Sequence, residues 1–147
     1  MFRNDALPCK GALLAIDFGK ARVGLAKTDA ERFVVTPLET LEAKGISLRA
    51  LAERIADRAK ALECVGLVLG WPDEDDDSTL PLRKEICTLA EQLRQRHSLP
   101  CASAPESFSS RDALMYLHEA KKKKKDRARL DHYAAAVILE RYLDASR

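Results

Sequence analysis

No stretch of this chain is apolar for the roughly 20 residues that a membrane-spanning helix needs. The opening residues, Met1-Phe2-Arg3-Asn4-Asp5, are polar and lack the apolar core of a secretory leader, so a cytoplasmic protein is expected. None of the four cysteines, Cys9, Cys64, Cys87 and Cys101, is spaced as Cys-x-x-Cys. That argues against a zinc site and for reduced thiols that serve as small apolar groups. Internal repeats and linker-like segments are missing too. The 147 residues read as one domain, 1–147, with residues 1–10 as a flexible N-terminus. The net charge is only +2, so the global balance says little about partners.

Charge patterning says more. Residues 121–129 hold five lysines, two arginines and one aspartate, a net +6. Residues 73–77 hold four aspartates and one glutamate, a net −5. The hydrophobic fraction of 46% and charged fraction of 33% are those of a soluble globular chain.

The apolar spacing predicts a strand over residues 13–17, a second over 23–27 and a third over 33–41. Pro37 suits an edge or a bulge in the third. Ser47 predicts the cap of a helix whose stripe is Leu48, Leu51, Ala52, Ile55, Ala59 and Leu62. A buried strand over 65–69 ends at Gly70-Trp71-Pro72. Ile86, Leu89, Ala90 and Leu93 predict a second helix. A weaker strand is expected over 99–104, a short helix from Ser109 or Ser110 to about Ala120, and a last helix over about 128–144. Hairpin links imply antiparallel pairing early, and helical crossovers imply parallel pairing later. The fold class is therefore α/β: a mixed five-stranded sheet, three strands antiparallel and then two parallel, with helices on both faces.

Three carboxylates stand where chemistry would need them. Asp17 ends the run Ala12-Leu-Leu-Ala-Ile and opens the turn Asp17-x-Gly19-x-x-x-x-Gly24. Glu106 follows the short run of residues 99–104. Asp131 lies near the start of the last helix. Glycines there would allow positive φ and a close approach by phosphate or metal; an ordinary hairpin with an aspartate at its turn stays equally open. The same pattern suits the first phosphate loop of the actin and sugar-kinase ATPases. Against that stands a length too short for two nucleotide-clasping domains. Glu106 alone reads as a solvated loop acid or a helix-start acid favoured by the helix dipole, and Asp131 alone as a first-turn acid for the same reason. Ala135 and Ile138, at +4 and +7 from Asp131, let that residue face the sheet.

Four segments in order resemble one family. Leu14-Ala-Ile-Asp17-Phe-Gly19-Lys20-Ala-Arg22-Val-Gly24-Leu-Ala26 is similar to the opening motif of the YqgF/RuvX family. Val68-Leu-Gly-Trp-Pro72 is similar to its Val-Gly-Leu-Pro strand end. Pro105-Glu106-Ser-Phe-Ser-Ser110 is similar to its Asp-Glu-Arg motif. The segment from Lys125 through Asp131 to Asp144 is similar to its C-terminal helix. Members are described as Holliday junction resolvases or pre-16S rRNA nucleases. The resemblance implies an RNase H-like fold and a metal-dependent nuclease of structured nucleic acid. Its first expected substrate is ribosomal RNA precursor and its second branched DNA. It implies Asp17, Glu106 and Asp131 as catalytic residues and as ligands of Mg²⁺ or Mn²⁺. Such ions prefer oxygen donors, and two of them can hold the attacking and leaving oxygens of phosphoryl transfer.

The chain departs from that pattern twice. Ser107 stands in place of the motif arginine, and the loop after Pro72 is strongly acidic, which repels a phosphate backbone. A nucleic-acid-binding protein with weakened catalysis is therefore the alternative to an active nuclease. Lys20, Arg22, Lys121, Lys122, Lys123, Lys124, Lys125 and Arg127 are the expected phosphate contacts. A solvated loop is the plainer reading of the lysine run. A surface or capping role is favoured for His132 over that of base or ligand. Trp71 is suited equally to stacking a base and to packing at its strand end. The expected partner is nucleic acid and no membrane, with monomer and homodimer both open.

Overall fold

The computed structural model describes residues 2–72, 78–105 and 127–146, apart from the side chains of 127–131. The described elements are β1 (Ala12–Phe18), β2 (Arg22–Thr28), β3 (Val35–Glu42), α1 (Leu48–Ala61), β4 (Cys64–Trp71), α2 (Leu80–His97), β5 (Cys101–Pro105) and α3 (Arg127–Ser146). The strands form one sheet in the order β3-β2-β1-β4-β5. β1 is antiparallel to β2, and β2 to β3. β4 is parallel to both β1 and β5. This is the mixed sheet expected from two hairpins followed by two helical crossovers.

β1 is central because it is apolar on both sides. Six of its seven residues are buried, and Asp17 is the half-buried exception. Alternation along the strand feeds two cores. Leu14, Ile16 and Phe18 face α1 and α2, joining Leu51, Ile55, Ile86, Leu89 and Leu93. Leu13 and Ala15 face α3, joining Ala135, Ala136, Ile138, Leu139 and Leu143. α3 lies mainly across β2, β3 and β1.

Local signals account for most boundaries. Ser47 Oγ accepts a hydrogen bond from the Ala50 N–H at 3.1 Å, so the expected cap of α1 is present. Pro37 sits in the edge strand β3, opposite a register shift between Leu25 and Ala26 of β2. β3 begins at Val35, two residues later than the apolar run suggests. The Asp29 carboxylate accepts from the Phe33 and Val34 N–H groups at 2.8 Å each, and this turn holds both residues off the ladder. β4 continues through Trp71, which pairs with Pro105, and stops only at Pro72. The helix expected between Ser109 and Ala120 lies outside the described residues.

A flexible N-terminus is the expectation for residues 1–10, and residues 2–5 of that segment lie along the outer edge of β5. The Asp5 N–H donates to Cys101 O, and the Cys101 N–H donates to Asp5 Oδ2, both at 2.9 Å. The Ser103 N–H donates to Asn4 Oδ1 at 2.7 Å. The Arg94 guanidinium pairs with the Asp5 carboxylate and stands over the Phe2 ring, 5.1 Å from its centroid. Phe2 meets Trp71 edge-on at 5.6 Å. The arm thus runs antiparallel to β5 and covers the backbone groups of an otherwise bare sheet edge.

Candidate functional site

Strands β1, β4 and β5 are parallel, so their C-terminal ends share one end of the sheet. Asp17 is one residue from the end of β1. Ile16 pairs with Leu69, and Gly70 pairs with Ala104, so β1 and β5 finish two strands apart with β4 between them. Glu106 follows Pro105 directly and lies outside the described residues.

Across the other side of β1, Asp17 pairs with Gly24 and Gly24 pairs with Thr40. These three form a straight row over β1, β2 and β3, about 10 Å from end to end at the usual strand spacing. Directly paired residues share a face. Asp17 alternates with Leu13 and Ala15, so the row faces α3. Gly24 adds no side chain to the row. Arg22, half-buried, lies on the same face one pair beyond Gly24, and Lys20 is exposed in the turn. The two described candidate cations therefore flank Asp17 at one sheet end. Lys121 to Lys125 lie outside the described residues, as does the side chain of Arg127.

The glycines of the turn work differently from the expectation. Positive φ among the described glycines occurs at Gly11 and Gly45, and not at Gly19 or Gly24. Gly19 is needed for space. Its N–H donates to Arg22 O at 3.0 Å, and an added Cβ would stand 2.8 Å from that same oxygen. Gly24 is not part of the turn at all but lies inside β2, facing Asp17.

Asp131 also differs from its expected setting. α3 begins at Arg127, so Asp131 is in its second turn, and the first turn holds no acid. The helix dipole acts within the first turn only, so it does not explain this residue. Its neighbour His132 is half-buried, with Nδ1 3.1 Å from Thr40 Oγ1 and its ring 5.3 Å from that of Tyr133. A link from β3 to the second turn of α3 therefore ends on the very row that contains Asp17. Sequence reasoning passed over Thr40, because its place depends on strand register and not on any local motif.

Trp71 packs at the strand end, with Phe2 at its edge and the Arg83 guanidinium 5.3 Å above its ring. Arg83 also donates to Pro72 O at 3.0 Å. The two buried thiols offer no alternative chemistry. Burial pushes the Cys64 thiol up to about 11 and the Cys101 thiol up to about 12, so both stay protonated near neutral pH. Among the described residues no three His, Cys, Asp or Glu side chains are grouped closely enough to hold a metal ion.

The model of the RuvX family, described as Holliday junction resolvase, matches residues 11–145. The chain belongs to the RuvX family. Relatives carry the name "Putative pre-16S rRNA nuclease". One from Ruegeria sp. is 37% identical over 145 residues, covering 97% of this chain and 90% of its own. One from Cereibacter sphaeroides is 36% identical over 140 residues, covering 95% and 86%. Among solved structures, Thermus thermophilus RuvC in complex with a Holliday junction substrate matches with a TM-score of 0.58 at 13% identity, covering 92% of this chain and 95% of its own. RuvC from the same organism, described without that substrate, matches at 0.57 and 12%. The RuvX fold seen here is thus RNase H-like. Among the described residues, no helix is long and apolar enough to cross a membrane.

Proposed function

We propose that this chain is a divalent-metal-dependent endonuclease of structured nucleic acid, with the precursor of 16S rRNA as substrate. The observation that carries the reading is the row Asp17–Gly24–Thr40, tied through His132 to the second turn of α3. It supports Asp17 and Asp131 as parts of one site, on the face of the sheet that α3 covers. Glu106, one residue past the end of β5, is the third carboxylate of the proposal. Relatives named as pre-16S rRNA nucleases support the choice of substrate.

The donor chemistry fits Mg²⁺ or Mn²⁺. Asp17 offers carboxylate oxygens at the end of a rigid strand, beside a position with no side chain, and hard cations favour oxygen ligands. Asp17, Glu106 and Asp131 would hold the ions. Bound there, the metal would neutralise developing charge at the phosphate and help generate the attacking nucleophile from water. Lys20 and Arg22 would hold the backbone phosphates beside the scissile bond, and Lys121 to Lys125 with Arg127 would extend that contact along the strand. Arg22 suits an orienting role, since its planar fork matches two phosphate oxygens. Cytoplasmic action follows from the substrate.

A second reading, resolution of branched DNA, rests on the description of the family model. Cleavage of precursor 16S rRNA and of a four-way DNA junction, each with and without Mg²⁺ or Mn²⁺, separates the two. Metal-dependent cleavage of the RNA is expected. Asp17→Asn should lower it on the order of 1,000-fold while the protein stays folded, because the metal's charge stabilisation amounts to several kcal/mol. Binding without cleavage by the unaltered protein would instead make it a nucleic-acid-binding member of the family.

A further inference from the structure

The body of α3 is held to the sheet by small and aliphatic groups. Ala135, Ala136, Ile138, Leu139 and Leu143 pack on Leu13, Ala15, Ala26 and Val68. Such packing is non-directional, and flat alanine surfaces offer few ridges to fix how far a helix slides along its own axis. A directional contact near one end of the helix does fix it. Thr40 and His132 make such a contact, 3.1 Å from Oγ1 to Nδ1. The branched Cβ of Thr40 limits its χ1, so the hydroxyl is aimed before the helix arrives. β3 sets the position of Thr40 by its pairing with Gly24, and Gly24 is paired in turn with Asp17.

We infer that Thr40 and His132 are positioning residues: their hydrogen bond sets the register of α3 over the sheet and thereby the distance of Asp131 from Asp17. The inference rests on the reading of Asp17 and Asp131 as parts of one nuclease site. Neither Thr40 nor His132 needs to touch substrate or metal. Both act through the backbone of α3, because His132 is the residue next to Asp131.

Thr40→Val keeps the shape and removes the hydroxyl, and Thr40→Ser keeps the hydroxyl. In Thr40→Val, kcat for metal-dependent cleavage should fall about 10- to 100-fold, the usual effect of losing an outer-shell orienting group. KM should be unchanged and the melting temperature nearly so. Thr40→Ser should recover kcat to within a few-fold of the unaltered protein. Hydrogen exchange supplies a readout independent of catalysis. The Tyr133 to Ala136 amides should exchange about 10-fold faster in Thr40→Val, through easier local opening, and at the normal rate in Thr40→Ser. Asp17→Asn should lower cleavage on the order of 1,000-fold and leave those amides alone. If the unaltered protein cleaves nothing, the nuclease reading fails, and exchange alone decides whether the tie exists. Unchanged kcat in Thr40→Val overturns the positioning role, whatever exchange shows. Unchanged exchange overturns the tie itself. His132→Ala removes the other partner and carries the same test should Thr40→Val fail to fold.

Discussion

The two faces of the sheet are built from different side chains. The face under α1 and α2 is filled by large residues: Leu14, Ile16, Leu25, Leu67 and Leu69 from the strands, and Leu51, Ile55, Ile86, Leu89 and Leu93 from the helices. The face under α3 holds Ala15, Ala26 and Ala104 against Ala135 and Ala136, with fewer large groups. Large side chains bury more apolar area and stabilise more. Small ones let a helix come close to the strands and leave room at the sheet end for a carboxylate. The half-buried Asp17 is on the second face. The first face supplies stability, and the second carries the row on which the proposed chemistry depends.

The contrast breaks most visibly on the first face. Leu89 is fully buried. Leu89→Ala should cost about 3 kcal/mol by lost transfer energy and a residual cavity. For a chain of this size that lowers the melting temperature by roughly 10 °C. Cleavage per folded molecule should remain near normal, which calorimetry and an activity assay on the same sample would show.

On the second face, Ala135→Leu adds three carbons at a fully buried position. A stability loss of about 1–3 kcal/mol is expected from overpacking. Here cleavage per folded molecule should fall as well, because α3 must lift and carry Asp131 with it. Equal losses of stability with unequal losses of activity would sharpen the comparison, and equal activity for both variants would end it.

The smallest effect is expected at the sheet edge, in the polar contacts of the arm on β5. Burial raises the Asp5 carboxyl, but the Cys101 N–H, the Arg94 guanidinium and the charge of Arg3 outweigh it and hold the group below its ordinary value of 3.8. A carboxyl lowered by folding adds stability that is present above its unfolded value and lost as pH falls through its folded value. Asp5→Ala should therefore cost about 1 kcal/mol at neutral pH. Denaturant melts below pH 3.8 should show the two proteins converging.

Much of this contrast could be read from the chain in advance. The stripe of α1, its Ser47 cap and the apolar run of β1 each follow from local spacing, and so does the switch from hairpins to crossovers. Asp17 was legible because an acid that ends a buried strand is costly unless it has a use. What escaped depended on pairing at long range. Residues 2–5 have no periodicity, and their place beside β5 follows from Asp5 meeting Arg94 and Cys101, 89 and 96 residues away. Thr40 looks like any strand threonine until register sets it in line with Asp17. The plain alternative for Asp131, a first-turn acid favoured by the helix dipole, arose because the helix start was placed a residue late.

The central claim is that the site lies on the α3 face, at the row through Asp17. Paramagnetic broadening by Mn²⁺ in the labelled protein reads that location residue by residue. Amides at Asp17, Phe18 and Gly24, together with those around Asp131 in α3, should broaden first, while those of Leu51 to Ala59 and Ile86 to Leu93 stay sharp. Broadening centred on α1 or α2, or none at millimolar Mn²⁺, would contradict the account.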